Sequence, residues 1–213
     1  MLVFDFVGSP SHSLTPSLPH SLTLSVPPCD TIPCAVSTLS PVESLPDLLA
    51  PGIELLFVGI NPSIYSAQAG HYYARPGNLF WRCLHQAGLT PVRLRPDEDR
   101  RVLEWGIGIT DCVKRATVSA SEVAPAEFRE GVDVLVEKIA RCRPLVVCFN
   151  GLMGYRGAFD PHAGLGRQPG SLEGAAIFVV PSTSGANAGY SREERVEWFA
   201  RLRRLRDELK ADR

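Results

Sequence analysis

The chain has 213 residues, 45% of them apolar, and a formal net charge of −1. It can bury one substantial core, and it is neither a strongly basic nor a strongly acidic protein. Residues 1–50 hold Asp5, Asp30, Glu43 and Asp47 with no lysine or arginine, so the remainder carries +3, a modestly basic body that suits a nucleic-acid partner without demanding one.

Residues 1–45 are rich in Ser, Pro, Thr and Leu, with His-Ser-Leu at 12–14 and again at 20–22. They have neither helical nor strand periodicity, so the expectation is a disordered tail, or a start assigned upstream of the true one, ahead of a single domain over 46–213. From Leu48 onward short apolar runs alternate with helical stretches. That alternation specifies an α/β fold, a three-layer α/β/α sandwich with a central, mainly parallel four-stranded sheet. Strands are expected over 53–60, 106–110, 145–149 and 176–180, each ending at a polar or Gly/Pro residue. A helix over 76–87 opens with Pro76 in its first turn and aligns Leu79, Phe80, Cys83, Leu84 and Ala87 on one stripe. A second, over 125–142, carries Phe128, Val132, Leu135, Val136 and Ile139 at helical spacing. The last, over 191–209, buries Val196, Trp198, Phe199, Leu202, Leu205 and Leu209, with Ser191 and Glu194 spaced as a capping box.

The six cysteines show no CxxC pair and no Cys/His spacing that would cage zinc, and they read as reduced thiols, with Cys83, Cys142 and Cys148 in the core and Cys29 and Cys34 in the tail. No metal or other cofactor is expected. No apolar run approaches the ~20 residues that span a bilayer, and the first residues lack the basic segment of a secretory signal. No membrane partner is therefore expected, and the location expected is cytoplasmic.

Parallel strands joined by helical crossovers point their carboxyl ends to one edge of the sheet. The residues expected there are Asn61, Asp111, Asn150-Gly151 and the run Pro181-Ser182-Thr183-Ser184-Gly185. Each alone reads equally as a turn former; together they make a cleft. Tyr72 and Tyr73, ahead of Arg75-Pro76-Gly77-Asn78, offer a face on which a planar heterocycle would stack for ~1–3 kcal/mol; the plainer alternative makes one tyrosine core and the other a surface ring. Neither GxGxxG nor GxxxxGK[ST] occurs, so a phosphate cradle and nucleotide hydrolysis lose support.

The motifs GINPS at 59–63, Ser66-Ala67, GHYYARPGNLFW at 70–81 and VPSTSGANAGYS at 180–191 resemble those of the mismatch-specific uracil/thymine DNA glycosylases, within the uracil-DNA glycosylase superfamily, over about residues 48–209. The resemblance implies a monofunctional hydrolase of base excision repair. Its substrate would be uracil, and weakly thymine, in G·U and G·T mispairs of double-stranded DNA, and its product an abasic site. It implies that Asn61 holds the attacking water, that Tyr73 stacks on the flipped base, and that the Ile60 and Tyr73 amides bind base carbonyl oxygens. Ser63 stands where small residues leave room beside C5 of the pyrimidine, and Ser184 joins the base-binding set. Gly185, Ala186, Asn187 and Ala188 form the loop that enters the duplex.

This second motif departs from the family, because small side chains replace a bulkier wedge and an arginine, and Ser182 replaces an Asn or His. Either Asn187 hydrogen-bonds the widowed guanine or the substrate is already weakly paired. Asp111 stands where familiar relatives carry other polar residues, and it reads as a second activator that accepts a proton from the water; the alternative is a helix cap or an ion-pair partner of Lys114 or Arg115. No lysine nucleophile lies near either motif, so no strand-cleaving step is expected. A monomer is expected, bacterial in type and associated with the nucleoid. Two rival readings stand beside this one: a superfamily glycosylase for other deaminated or etheno bases, and a non-catalytic mismatch-binding module, against which Asn61 and Tyr73 argue.

Overall fold

The computed structural model describes residues 44–213. The expected tail, with Cys29 and Cys34, therefore lies outside the described residues except for Ser44 and Leu45, and Leu45 is buried against the core. The strands are β1 (Leu55–Gly59), β2 (Ile107–Asp111), β3 (Val146–Asn150), β4 (Gly166–Leu172) and β5 (Ala175–Val180). They form one sheet in the order β2-β1-β3-β5-β4, parallel throughout except that β4 runs antiparallel to β5. All four parallel strands are buried along their whole length, which is why β1, β3 and β5 read in the sequence as short continuous apolar runs.

The sheet has five strands where four were expected. The missed strand, β4, contains Pro169 and Gly170 and has little apolar character. It holds its place because it is an edge strand whose register shifts between Arg167 and Ser171, the setting in which proline is tolerated in a sheet.

The helices are α1 (Ile64–Ala69), α2 (Phe80–Gln86), α3 (Pro125–Cys142), α4 (Leu152–Ala158) and α5 (Arg192–Ala211). On one face of the sheet, Phe80, Cys83 and Leu84 of α2 and Phe199 and Leu202 of α5 pack on Leu55, Phe57, Ile109, Val146 and Phe178. On the other, Phe128, Leu135 and Ile139 of α3 and Tyr155 of α4 pack on Leu56, Val58, Val147, Phe149 and Ile177. Successive strand residues thus serve opposite layers, and the three-layer sandwich follows.

Helix α3 has the expected limits, and the Ser191–Glu194 box caps α5 in both directions. Helix α2 starts four residues later than the proline suggested. Residues 76–79 form a turn instead, in which the Asn78 amide donates to the Arg75 carbonyl and the Asn78 Oδ1 accepts from the Phe80 amide. Cys83, Cys112, Cys142 and Cys148 are buried free thiols. No described helix is long and apolar enough to cross a membrane.

Candidate active site

A cleft of about 590 Å³ opens at the carboxyl edge of the parallel strands, where irregular backbone and strand tips are free to meet a ligand. It is lined by Ile60 and Asn61 after β1, by Asp111 at the end of β2, by Asn150 at the end of β3, and by Ser182, Thr183 and Ser184 after β5. Ser63, Tyr73, Ala186 and Asn187 also line it, whereas Gly185 and Ala188 do not.

The two polar tips beside each other are held by backbone pairing that continues past the strands. Gly59 and Asp111 are register partners. Beyond them the Cys112 and Val113 amides donate to the Gly59 and Ile60 carbonyls, the Thr117 amide to the Pro62 carbonyl, and the Ile64 amide to the Thr117 carbonyl. This zipper fixes Asn61: its Nδ2 donates to the Arg115 carbonyl and to Thr117 Oγ1, both at 2.8 Å. With both amide hydrogens committed, Oδ1 is left as the acceptor available to a water.

Asp111 is 4% exposed, and its Oδ2 has no hydrogen-bond partner among the described residues. The ion-pair alternative for this residue does not hold. Lys114 pairs with Asp47, and Arg115 pairs with Glu127 at 2.8 Å. Burial pushes the Asp111 carboxyl up to about 7, with nearby Asp47 adding to the rise and Lys114 and Lys138 opposing it. Asp47 explains why those two ammonium groups do not win: it takes both, and Thr110 Oγ1 donates to its Oδ1 at 2.6 Å. Burial disfavours the charged form of Asp47, but Lys114, Lys138 and Thr110 hold its carboxyl below the usual range. An antiparallel bridge between Leu48 and Ile109 brings Asp47 there.

Gly59 is the other requirement of this arrangement. A Cβ on it would lie 2.3 Å from Asp111 Oδ1, so the carboxylate approaches the β1 backbone over a residue without a side chain.

Tyr73 adopts left-handed backbone with φ of 53°, uncommon outside glycine and concentrated at functional sites. Its ring stacks on Phe80 with centroids 3.8 Å apart, and its hydroxyl is buried without a partner among the described residues. Burial pushes that phenol well above its ordinary range. Tyr72 is the core tyrosine, 2% exposed, with its amide on Asp99 Oδ2 and its hydroxyl accepting from Lys114 Nζ at 3.3 Å. The Ile60 and Tyr73 amides donate to no protein acceptor among the described residues.

Ser63 caps α1. Its Oγ accepts from the Ser66 amide and donates to Ser66 Oγ, so its hydroxyl is turned onto its own helix. Asn150 clamps two strand tips together, with Nδ2 on Thr183 Oγ1 at 2.9 Å and Oδ1 accepting from the Thr183 amide at 3.1 Å. Ser184 Oγ accepts from the Ala186 amide, and Asn187 is tied into its own loop, Nδ2 to the Ser182 carbonyl and Oδ1 from the Gly189 amide. Sequence reasoning missed Asp47, Gly59, Thr117 and the clamp role of Asn150. Only Gly59 had a local signal, a glycine ending an apolar strand just before Asn61.

A polar cleft with an oriented amide, a buried carboxylate and two unpaired backbone donors can position a water against an electrophilic carbon and receive negative charge on a departing group. Comparison with known proteins is consistent with such chemistry. The chain is similar to a candidate uracil DNA glycosylase from Methanosarcina acetivorans, known from a solution NMR structure: 26% identity over 77% of this chain and 98% of that one, with a TM-score of 0.55. The family model of the uracil DNA glycosylase superfamily, whose members are hydrolytic DNA glycosylases, matches residues 46–205, a span that takes in every strand and every cleft residue but Leu45; the chain belongs to that superfamily.

Proposed function

We propose that the chain is a monofunctional DNA glycosylase that removes uracil, and thymine weakly, from G·U and G·T mispairs of double-stranded DNA and leaves an abasic site. The observation that carries this reading is Asp111, a buried carboxylate with no hydrogen-bond partner on Oδ2 among the described residues, in one cleft with the free Oδ1 of Asn61.

In the reaction, the flipped base lies against Tyr73, and the Ile60 and Tyr73 amides meet its carbonyl oxygens. As the C1′–N bond breaks, its electron pair leaves with the base, and the charge gathering on the carbonyl oxygens is stabilised by those donors. The sugar becomes an oxocarbenium ion. Asn61 Oδ1 holds a water against it, and ionised Asp111 takes the proton released as the water oxygen bonds to C1′. Ser63, turned onto Ser66, leaves the C5 edge open enough for thymine and still narrower than glycine would, which supports a preference for uracil.

The test is an end-labelled duplex with a single G·U pair, scored for alkali-labile abasic product, beside G·T, a panel of other deaminated and etheno bases, and single-stranded uracil. Product from G·U faster than from G·T is expected. A higher rate on another lesion would transfer the main activity to that base, and binding without any product would leave a mismatch-binding module.

A further inference from the structure

Arg195 lies in the first turns of α5 and is 4% exposed, yet it forms no ion pair with a carboxylate among the described residues. A cation near a helix N-terminus is opposed by the helix dipole, and a buried charge without a counter-ion is destabilising. The compensation comes from one loop. Nε donates to the Ser182 carbonyl at 2.9 Å, Nη1 to the carbonyls of Tyr190 and, at 3.2 Å, Ser191, and Nη2 to the carbonyl of Asn187. The planar fork of a guanidinium is suited to gathering several acceptors in fixed directions, and a lysine ammonium is not.

The loop so gathered is the one that follows β5 and borders the cleft. Its tip, Ser184-Gly185-Ala186-Asn187-Ala188-Gly189, has no large side chain to hold it in place. It is fastened at its flank, where the Leu79 amide donates to the Thr183 carbonyl and a Cβ on Gly185 would meet the Gly77 carbonyl oxygen at 3.3 Å. Arg195 fastens it from beneath, at both of its ends and at Asn187. A chain segment of glycine, alanine and asparagine left free would spend its ordering entropy on entering a duplex.

We propose that Arg195 is a positioning residue that holds the 182–191 loop rigid from below, so that backbone shape and not a bulky wedge keeps DNA open around a displaced nucleotide. The inference rests on the glycosylase reading for its substrate, and its test separates the two. Full-length Arg195→Met, Arg195→Lys and Asp111→Asn proteins, each checked for folding by circular dichroism, are titrated with a duplex containing a tetrahydrofuran abasic analogue opposite guanine and with the same duplex undamaged. Excision is then timed in single turnovers on a G·U duplex and on single-stranded uracil.

Arg195→Met is expected to lose about tenfold or more of the preference for the abasic duplex and of the rate on G·U, the order set by losing one charge-assisted hydrogen bond, while single-stranded uracil stays within about twofold of the parent. Arg195→Lys, with the charge but not the fork, should fall between. Asp111→Asn should slow excision by about 10²–10⁴ and keep the preference, and a parent chain that excises nothing defeats the glycosylase reading alone. Unchanged preference in the folded Arg195 variants, equal losses on duplex and single strand, or a parent protein with no preference would each overturn the role of Arg195. If Arg195→Met does not fold, Arg195→Lys decides between these outcomes.

Discussion

Asp111→Asn tests the site at its most unusual group, because the carboxylate is buried, lacks a hydrogen bond on Oδ2 and titrates near 7 instead of at its ordinary 3.8. A rise of that size corresponds to roughly 4 kcal/mol of penalty on the ionised form in the folded protein. The sign follows from proton linkage. Below pH 3.8 both folded and unfolded chains hold the proton and the group is neutral in its effect. Between 3.8 and about 7 the unfolded chain ionises first, so stability falls as pH rises; above about 7 the penalty is complete and constant. An asparagine carries no such penalty. Asp111→Asn should therefore be more stable than the parent at pH 8, by up to about 4 kcal/mol, and close to it at pH 4, as read by urea unfolding at the two pH values.

The same ionisation governs the proposed chemistry with the opposite preference. A base must be unprotonated, so the single-turnover rate of the parent on G·U should climb about tenfold per pH unit below 7 and level off above it. In Asp111→Asn the profile should be flat and the rate lower by about 10²–10⁴. A variant with the full parental rate, or a parent profile without an inflection between pH 5 and 8, would refute Asp111 as the base. Gained stability with an unchanged rate would identify the buried carboxyl as strain without a catalytic use.

Asp47→Asn removes the carboxylate that occupies Lys114 and Lys138; both ammonium groups then favour the Asp111 anion, and the inflection of the rate profile should move toward acid, an unmoved inflection arguing against the coupling. Gly59→Ala forces a Cβ to within 2.3 Å of Asp111 Oδ1 and should cost about 1–3 kcal/mol of stability, as overpacking does, together with most of the excision activity; parental activity in a stable protein would show that the carboxylate need not stand where it does. Thr117→Val keeps shape but deletes one of the two acceptors that orient Asn61. It should lower kcat by about 3- to 30-fold with KM for the duplex unchanged, and a loss confined to KM would contradict an orienting role.

Much of the scaffold was legible because it rests on local pattern. The four parallel strands are buried on both faces, β1, β3 and β5 announce themselves as apolar runs, and α3 and α5 carry long stripes. What escaped was decided by tertiary context. Strand β4 has a proline and a glycine that only an edge position accommodates, and α2 begins at Phe80 because Asn78 supplies its capping oxygen where Pro76 had suggested an earlier start. The strand-tip rule gathered Asn61, Asp111, Asn150 and the Ser182–Ser184 run at one cleft. It gave no hint that Asp47, 63 residues before Thr110 in the chain, would sit beneath Asp111 through its own hydrogen bond to that threonine. Arg195 was invisible for a related reason: in the sequence it is one arginine in a helix full of them, and only the loop carbonyls around it distinguish it.

The cleft and the loop that borders it thus depend on two buried charged groups that the interior ordinarily rejects, and their compensation differs in kind. Asp111 is left uncompensated on one oxygen, with its nearest cations already engaged by Asp47, so its proton affinity is set by burial and is free to change when substrate enters. Arg195 is compensated by loop carbonyl oxygens on all three of its nitrogens, so it is suited to fixing the shape of that loop. A conflict between local preference and placement is expected where structure serves function; one of these conflicts lies in the cleft and the other against the loop after β5 that borders it. The proposed base has a charge state that responds to its surroundings, whereas Arg195 braces a loop. On that division, variants at Asp111 should act on the rate at a given pH, and variants at Arg195 on which DNA is opened.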